Sequence, residues 1–425
     1  MNVFEEFHDT ATEKSTTSAE EYSDDVSEKQ FMNAEESHDA VTEGRAELPE
    51  NSASAPCAAR GPRPGTPDAA PSPLADSPFL AALRGHRPAT TPVWFMRQAG
   101  RSLPEYRALR ARSGLEMLDA CLDPDLVVEA TLQPVRRYGV DAAVLYSDIM
   151  VPLRLAGVDV SIAPGIGPVL VDPVRDRAAV DRLTGNGASL EVRPGIASIR
   201  EAVARAVAAL GPTPLIGFGG APFTLACYLV AGRPSRDHLE ARALMRSDPD
   251  AWDRLLAWCA DLTGAFIVEQ VRAGASAAQL FDSWVGTLSE EDYRRFASPH
   301  SARTIALVGE ATSPATGLPA PLVHFGTGTP HLLTAMREAG GDAIGVDQRI
   351  GLDRASALLS DAVPLQGNLD PALLAAPPAV LDAAVDEVLA RGDRAPAHVF
   401  NLAHGVPKDA DPAALARVVE RVHTR

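Results

Sequence analysis

Pro92-Val93-Trp94-Phe95-Met96-Arg97-Gln98-Ala99-Gly100-Arg101 is an apolar run that ends in a glycine-containing loop carrying two arginines. A short continuous apolar run bounded by a turn signal reads as a strand buried on both faces, the kind found in parallel sheets. The loop that follows suits polyanion binding. Each guanidinium is a flat, permanently charged fork that grips carboxylates in pairs, and Gly100 lets backbone approach a ligand closely. Two surface arginines held in ordinary salt bridges are the alternative reading.

Seven further strand-like runs follow, at 141–146, 214–218, 277–281, 321–325, 343–347, 363–366 and 398–402. Helical periodicity fills the intervals at 124–138, 196–210, 251–273, 289–310, 331–339, 378–390 and 412–422, with Ser289 and Asp411 as capping residues. The Gly- and Pro-rich stretch 151–173 reads as an excursion or small hairpin. Eight strands, each followed by a helix, predict an α/β fold of the (β/α)8 TIM-barrel type; a doubly wound open sheet gives a similar string. The barrel is preferred because no GxGxxG turn follows any strand.

Charge divides the chain unevenly. The first fifty residues hold 15 Asp+Glu against 3 Lys+Arg, and the rest of the net −17 chain is close to balanced. Such an acidic segment with few large apolar groups cannot offset the entropy of ordering, and the seven prolines between Pro56 and Pro78 suit an extended connector. Residues 1–76 are therefore expected to be a disordered extension, and 77–425 the barrel domain. No apolar stretch is long enough to span a membrane, and the leading segment lacks the basic start and apolar core of a secretory signal. Cys57, Cys121, Cys227 and Cys259 form no CxxC pair, so a reducing cytoplasm and no structural zinc are expected.

Barrel enzymes gather reactive groups where strands emerge at their carboxyl ends. Here those points carry Arg97, Ser147-Asp148, Asp282-Ser283, Asp347, Asn368 and His404. Asp148, flanked by apolar residues, reads either as a helix cap or partner of Arg97, or as an acceptor for N–H donors and counter-charge for a developing cation. The glycine-rich 217–220 stretch before Pro222 could present N–H groups to an anion, and Tyr228 lies on the helix it opens. Ser283 has no GxSxG elbow, which argues against a hydrolase. His404 reads as a carboxylate ligand or a solvent-facing loop residue.

Taken together, the segments at 92–101, Leu103-Pro104-Glu105-Tyr106-Arg107, Tyr146-Ser147-Asp148-Ile149, Gly220-Ala221-Pro222-Phe223-Thr224-Leu225, Phe281-Asp282-Ser283-Trp284, Gln366-Gly367-Asn368-Leu369-Asp370-Pro371 and Phe400-Asn401-Leu402-Ala403-His404-Gly405-Val406 closely resemble the uroporphyrinogen decarboxylase family. The resemblance spans residues 77–425. It implies a (β/α)8 barrel, typically a cytoplasmic homodimer without metal or organic cofactor, acting on neither nucleic acid nor membrane. The implied reaction removes CO2 from the four acetate side chains of uroporphyrinogen III, leaving coproporphyrinogen III. By the same resemblance Arg97 and Arg101 bind substrate carboxylates, Gln98, Ala99 and Gly100 line their loop, and Asp148 receives the pyrrole N–H groups. Tyr228, Ser283 and His404 are implied substrate contacts, and Arg110 a further arginine; Asp148 and Arg97 are the implied catalytic pair. Ser102 stands where an aromatic is usual, and Ala403 where the last loop commonly has glycine.

Two other readings share parts of this pattern. Zinc- and corrinoid-linked methyltransferases on the same barrel need a His-x-Cys…Cys thiolate cluster, and no cysteine lies near His404. A tetrapyrrole-binding protein without activity would not need Arg97, Arg101 and Asp148 together.

Overall fold

The buried run at Val93 decides how the sheet ends. A computed structural model of the protein describes residues 72–425 apart from Asn186, Ser189, Glu191, Val192 and Pro194. The part of the expected disordered extension at 1–71 lies outside the described residues. Eleven strands follow in chain order: β1 Ala143–Val144, β2 Val160–Ala163, β3 Gly167–Leu170, β4 Leu215–Gly220, β5 Ala277–Asp282, β6 Thr312–Ser313, β7 Leu318–Pro319, β8 Leu322–Gly326, β9 Ala343–Gly345, β10 Leu365–Leu369 and β11 His398–Leu402. Seven of them pair in parallel in the order β1-β4-β5-β8-β9-β10-β11.

The two edges of this ladder meet on the Val93 segment. Val93 bridges Phe400 of β11 in parallel, the Phe400 N–H donates to Pro92 O at 2.8 Å, and the Trp94 N–H donates to Phe400 O at 3.3 Å. On the other side, Asp141 N–H donates to Val93 O at 2.8 Å and the Asp141 carboxylate accepts the Val93 N–H at 2.7 Å. The sheet therefore closes with eight strand positions in sequential order. A doubly wound sheet would reverse its order at a switch point, and this one does not.

Helices pack around the closed sheet. Pro124–Tyr138, Ile196–Leu210, Pro249–Arg272, Pro378–Gly392 and Pro412–His423 match the expected helices closely, and Ser289 and Asp411 cap as expected, accepting from Asp292 N at 3.2 Å and Ala413 N at 2.8 Å. The excursion at 151–173 is a short helix, Val151–Leu155, followed by the antiparallel hairpin β2–β3.

Several expectations need correction. The 289–310 helix breaks at Ala297 into Glu290–Phe296 and Ser298–Val308, because Pro299 supplies no N–H and its ring crowds the preceding turn. The 141–146 strand leaves the ladder early, where the Tyr146 N–H turns to Thr131 Oγ1 at 3.0 Å. Helices Pro104–Ser113, Arg177–Thr184, Leu239–Ser247 and Leu352–Leu358 were not anticipated. Nor do the glycines at 217–220 form an anion-binding turn: they lie within buried β4. A β-carbon would stand 2.9 Å from Gln270 Oε1 at Gly217, 2.8 Å from Thr263 Cγ2 at Gly219 and 2.9 Å from Leu225 Cδ2 at Gly220, so glycine here admits closely packed helices.

Inside the barrel a buried chain of polar side chains runs beneath the mouth. Trp94 Nε1 donates to Gln366 Oε1 at 3.0 Å, Gln366 Nε2 donates to Gln279 Oε1 at 2.9 Å, and Gln279 Nε2 reaches Met96 Sδ at 3.4 Å. The Trp94 indole and the two glutamine side chains are thereby paired, as burial favours.

Candidate active site

The first loop is shaped by contacts that end its strand. Met96 N–H donates to Asn401 Oδ1 at 3.1 Å, and Met96 O accepts from Val406 N at 2.8 Å, so the first and last loops are tied together. Arg97 then takes a left-handed conformation, φ 60, uncommon for a residue with a side chain and concentrated at functional positions. Gln98 is 1% exposed; its Oε1 accepts the Phe95 N–H at 3.0 Å and its Nε2 donates to Ala142 O at 3.0 Å, so its side chain braces the loop. At Gly100 a β-carbon would meet Arg97 O at 2.9 Å, which explains glycine in this turn. Among the described residues the N–H groups of Ala99, Gly100 and Arg101 make no hydrogen bond, and the guanidiniums of Arg97 and Arg101 make neither a hydrogen bond nor a salt bridge.

Asp148 follows β1. Its Oδ1 accepts the Met150 N–H at 2.8 Å and its backbone carbonyl accepts from Val151 N at 3.1 Å, a local turn ahead of the helix Val151–Leu155; the N-cap of that helix is Met150, so Asp148 does not take the helix-cap position. Oδ2 takes no partner among the described residues. The residue is half-buried at the surface. Burial pushes its carboxyl above the usual carboxylate range, opposed by the Met150 N–H and the Arg97 charge.

Tyr228, on the helix Pro222–Ala231, lies within electrostatic reach of both Asp148 and Arg97, and burial and the neighbouring carboxylate raise its phenol. His404 is exposed on the last loop yet within electrostatic reach of Arg97 and Arg349; desolvation by surrounding protein, with the Arg97 charge, pushes its imidazole below the ordinary value. Arg97, Asp148, Tyr228 and His404 thus form one cluster at the carboxyl end of the barrel. Ser283 sits at the same end, immediately after β5.

The other expected residues make contacts of their own. Arg110 donates to Leu115 O at 2.8 Å and, with Arg101, influences Tyr106, whose hydroxyl is 2.8 Å from that of Tyr146. Arg101 turns toward a groove of about 620 Å³ that it lines with Ser102, Arg107 and Lys408; neither Arg97 nor Asp148 lines that groove. Asp282 points out of the barrel: its Oδ2 lies 3.3 Å from Ser301 Oγ and 3.5 Å from His324 Nε2, because strand residues alternate and Gln279 already faces inward. Asn368 is a brace, donating to Asp347 O at 2.8 Å and Ile350 O at 2.7 Å. Arg349 was missed. It pairs with the buried Asp347, and its place two residues beyond a strand-end acid was the available signal.

Comparison with known proteins identifies the family. Residues 74–425 match the family model described as uroporphyrinogen decarboxylase (URO-D). The chain is 56% identical over 353 residues to uroporphyrinogen decarboxylase of Arthrobacter sp. (strain FB24), covering 82% of this chain and 97% of that protein. It is 57% identical over 356 residues to the enzyme of the same name from Leifsonia xyli subsp. xyli (strain CTCB07), covering 82% and 94%. Among solved structures, a methyltransferase from Methanosarcina mazei superposes with a TM-score of 0.66 at 19% identity, over 81% of this chain and 96% of that one, a likeness of fold.

Proposed function

The chain belongs to the uroporphyrinogen decarboxylase family, and we propose that it performs that carboxy-lyase reaction in haem biosynthesis through the Asp148 cluster, converting the four acetates of uroporphyrinogen III to methyl groups. The observation that carries the site assignment is an Asp148 whose Oδ2 takes no partner among the described residues, within electrostatic reach of the Arg97 guanidinium at the carboxyl end of the barrel.

Each cycle exchanges a carboxylate for hydrogen. Protonation of an electron-rich pyrrole makes a cationic ring; the C–CO2 bond then breaks with its electrons passing into that ring, CO2 leaves, and a second proton completes the methyl group as the ring proton is lost. The ring cation is what the protein must stabilise. A carboxylate whose ionised form is disfavoured by burial gains strongly when a cation forms beside it, and fixed groups in a partly dry pocket do this without reorganising. Asp148 is the counter-charge and the acceptor of pyrrole N–H groups. Arg97, the N–H groups of Ala99, Gly100 and Arg101, His404, Tyr228 and Ser283 engage peripheral carboxylates, and Arg101 and Arg110 serve carboxylates nearer the rim. Gln98 contributes by holding the loop. Eight substrate carboxylates call for several cations, which suits arginines better than one general acid.

The proposal includes a homodimer working in the cytoplasm; among the described residues no helix is long and apolar enough to cross a membrane. The test is anaerobic incubation with uroporphyrinogen III, following coproporphyrinogen by fluorescence after oxidation, alongside sedimentation of the enzyme. Failure to form coproporphyrinogen would remove the assignment.

A further inference from the structure

One side-chain arrangement at the mouth is not used by the carboxylate chemistry. Trp284, directly after Ser283, has its ring centroid 4.1 Å from that of Tyr228 at 36° and 4.3 Å from that of His238 at 27°. Two rings that close to one centroid at such low tilt cannot share a face, so Trp284 is sandwiched. The three rings come from separate segments: the helix Pro222–Ala231, the turn after β5, and the residue preceding the helix Leu239–Ser247.

His238 has little else to do. It is 2% exposed, its Nδ1 makes no hydrogen bond, and its backbone is left-handed at φ 51, ψ 38. Burial pushes its imidazole down to about 4, so the ring is neutral at pH 7. A buried, neutral ring with an unpartnered nitrogen, in a backbone conformation that non-glycine residues rarely adopt, is retained for its face.

We propose that Trp284 and His238 are positioning residues, a stacked column that holds the Tyr228 ring so that its hydroxyl stays beside Asp148 and Arg97. The proposal rests on the reading of Tyr228 as a substrate contact. Tyr228 packs on Trp284 through its face and keeps its hydroxyl for the mouth, and His238 closes the far side of the indole against sideways movement.

The experiment measures kcat and KM for His238→Ala, His238→Phe, Trp284→Leu, Tyr228→Phe and the double variant Y228F/W284L, with near-ultraviolet circular dichroism and a thermal melt for each. His238→Ala and Trp284→Leu are expected to lower kcat about tenfold with KM within about twofold, and to diminish the aromatic dichroism. His238→Phe keeps a flat ring and restores kcat to within about twofold of the parent. The double variant is expected to be no slower than Tyr228→Phe by more than about twofold, because the stack acts only through Tyr228. Additive losses in the double variant, or His238→Phe as slow as His238→Ala, overturn the proposal while leaving Tyr228 as a contact. A wild-type rate for Tyr228→Phe overturns both. If Trp284→Leu does not fold, Trp284→Met, likewise without a ring, takes its place in the same comparison.

Discussion

A β-carbon added to Gly405 would stand 2.4 Å from Cδ of Arg97 and 2.7 Å from its Cγ. The last loop of the barrel therefore serves as the floor on which the first loop's guanidinium lies, and glycine is required there for space. Gly405→Ala forces the stem of Arg97, and not merely its flexible tip, to another path. The expected result is a folded protein with kcat/KM reduced about 10- to 100-fold, since a misplacement of about 1 Å at a positioning group costs on that order. Steady-state kinetics with a thermal melt checks it; an unchanged kcat/KM would mean that Arg97 has no required position.

Asp148→Asn separates chemistry from stability. Loss of the carboxylate removes the counter-charge, and turnover is expected to fall about 100-fold or more, in line with the loss of one preorganised electrostatic group. Stability should move the opposite way. Asp148 has its folded value raised by burial, so below the unfolded value of about 3.9 both states are protonated and the group contributes nothing. As pH rises through the unfolded and then the folded value, the charged form becomes a penalty on folding, complete above the folded value. The Asn variant should thus melt higher than the parent at pH 7.5, with the gain vanishing toward pH 4. Equal melting temperatures at both pH values would show that burial does not disfavour this carboxylate.

Gln98→Leu tests whether this motif residue binds or braces. The substitution leaves the Phe95 N–H and Ala142 O unpaired in the interior, at a cost of about 1–3 kcal/mol for a buried group so deprived. A fall in denaturation midpoint larger than the change in KM is expected. A purely kinetic effect with unchanged stability would assign Gln98 to the substrate instead.

Truncation locates where the working protein begins. Ser72 Oγ accepts the Leu74 N–H at 3.1 Å to cap the 3-10 turn Pro73–Asp76, where Ala75 is buried and its carbonyl accepts from Arg84 Nη1 at 2.8 Å. A chain starting at Ser72 is expected to keep kcat/KM within about twofold, because a local hydrogen bond and cap of this kind are worth about 1 kcal/mol each and none is disturbed. Starting at Ser77 should lower the melting temperature while sparing kcat. Loss of turnover in the Ser72 form would assign the acidic leader a part in catalysis.

Much of this was legible in the linear chain because it is written in short windows. Alternating apolar runs and helical periods mark the eight strand positions, the Ser and Asp caps mark helix starts, and the polar residues at strand ends, read with the motif order, single out Arg97, Asp148, Tyr228 and His404 as candidates. The family follows from the same motifs. Tertiary structure alone decided what depends on residues far apart. Closure of the barrel is made by Val93 against Phe400 and Asp141. The floor beneath Arg97 is Gly405, and Tyr228 packs on Trp284, whose far side His238 covers. Asp282 and Asn368 looked like mouth residues, yet the outward phase of one strand and a buried carbonyl pair took their side chains elsewhere. The physical reason is that backbone periodicity and capping are local interactions, whereas which side chain reaches which neighbour is settled only when the sheet closes and distant segments pack against one another.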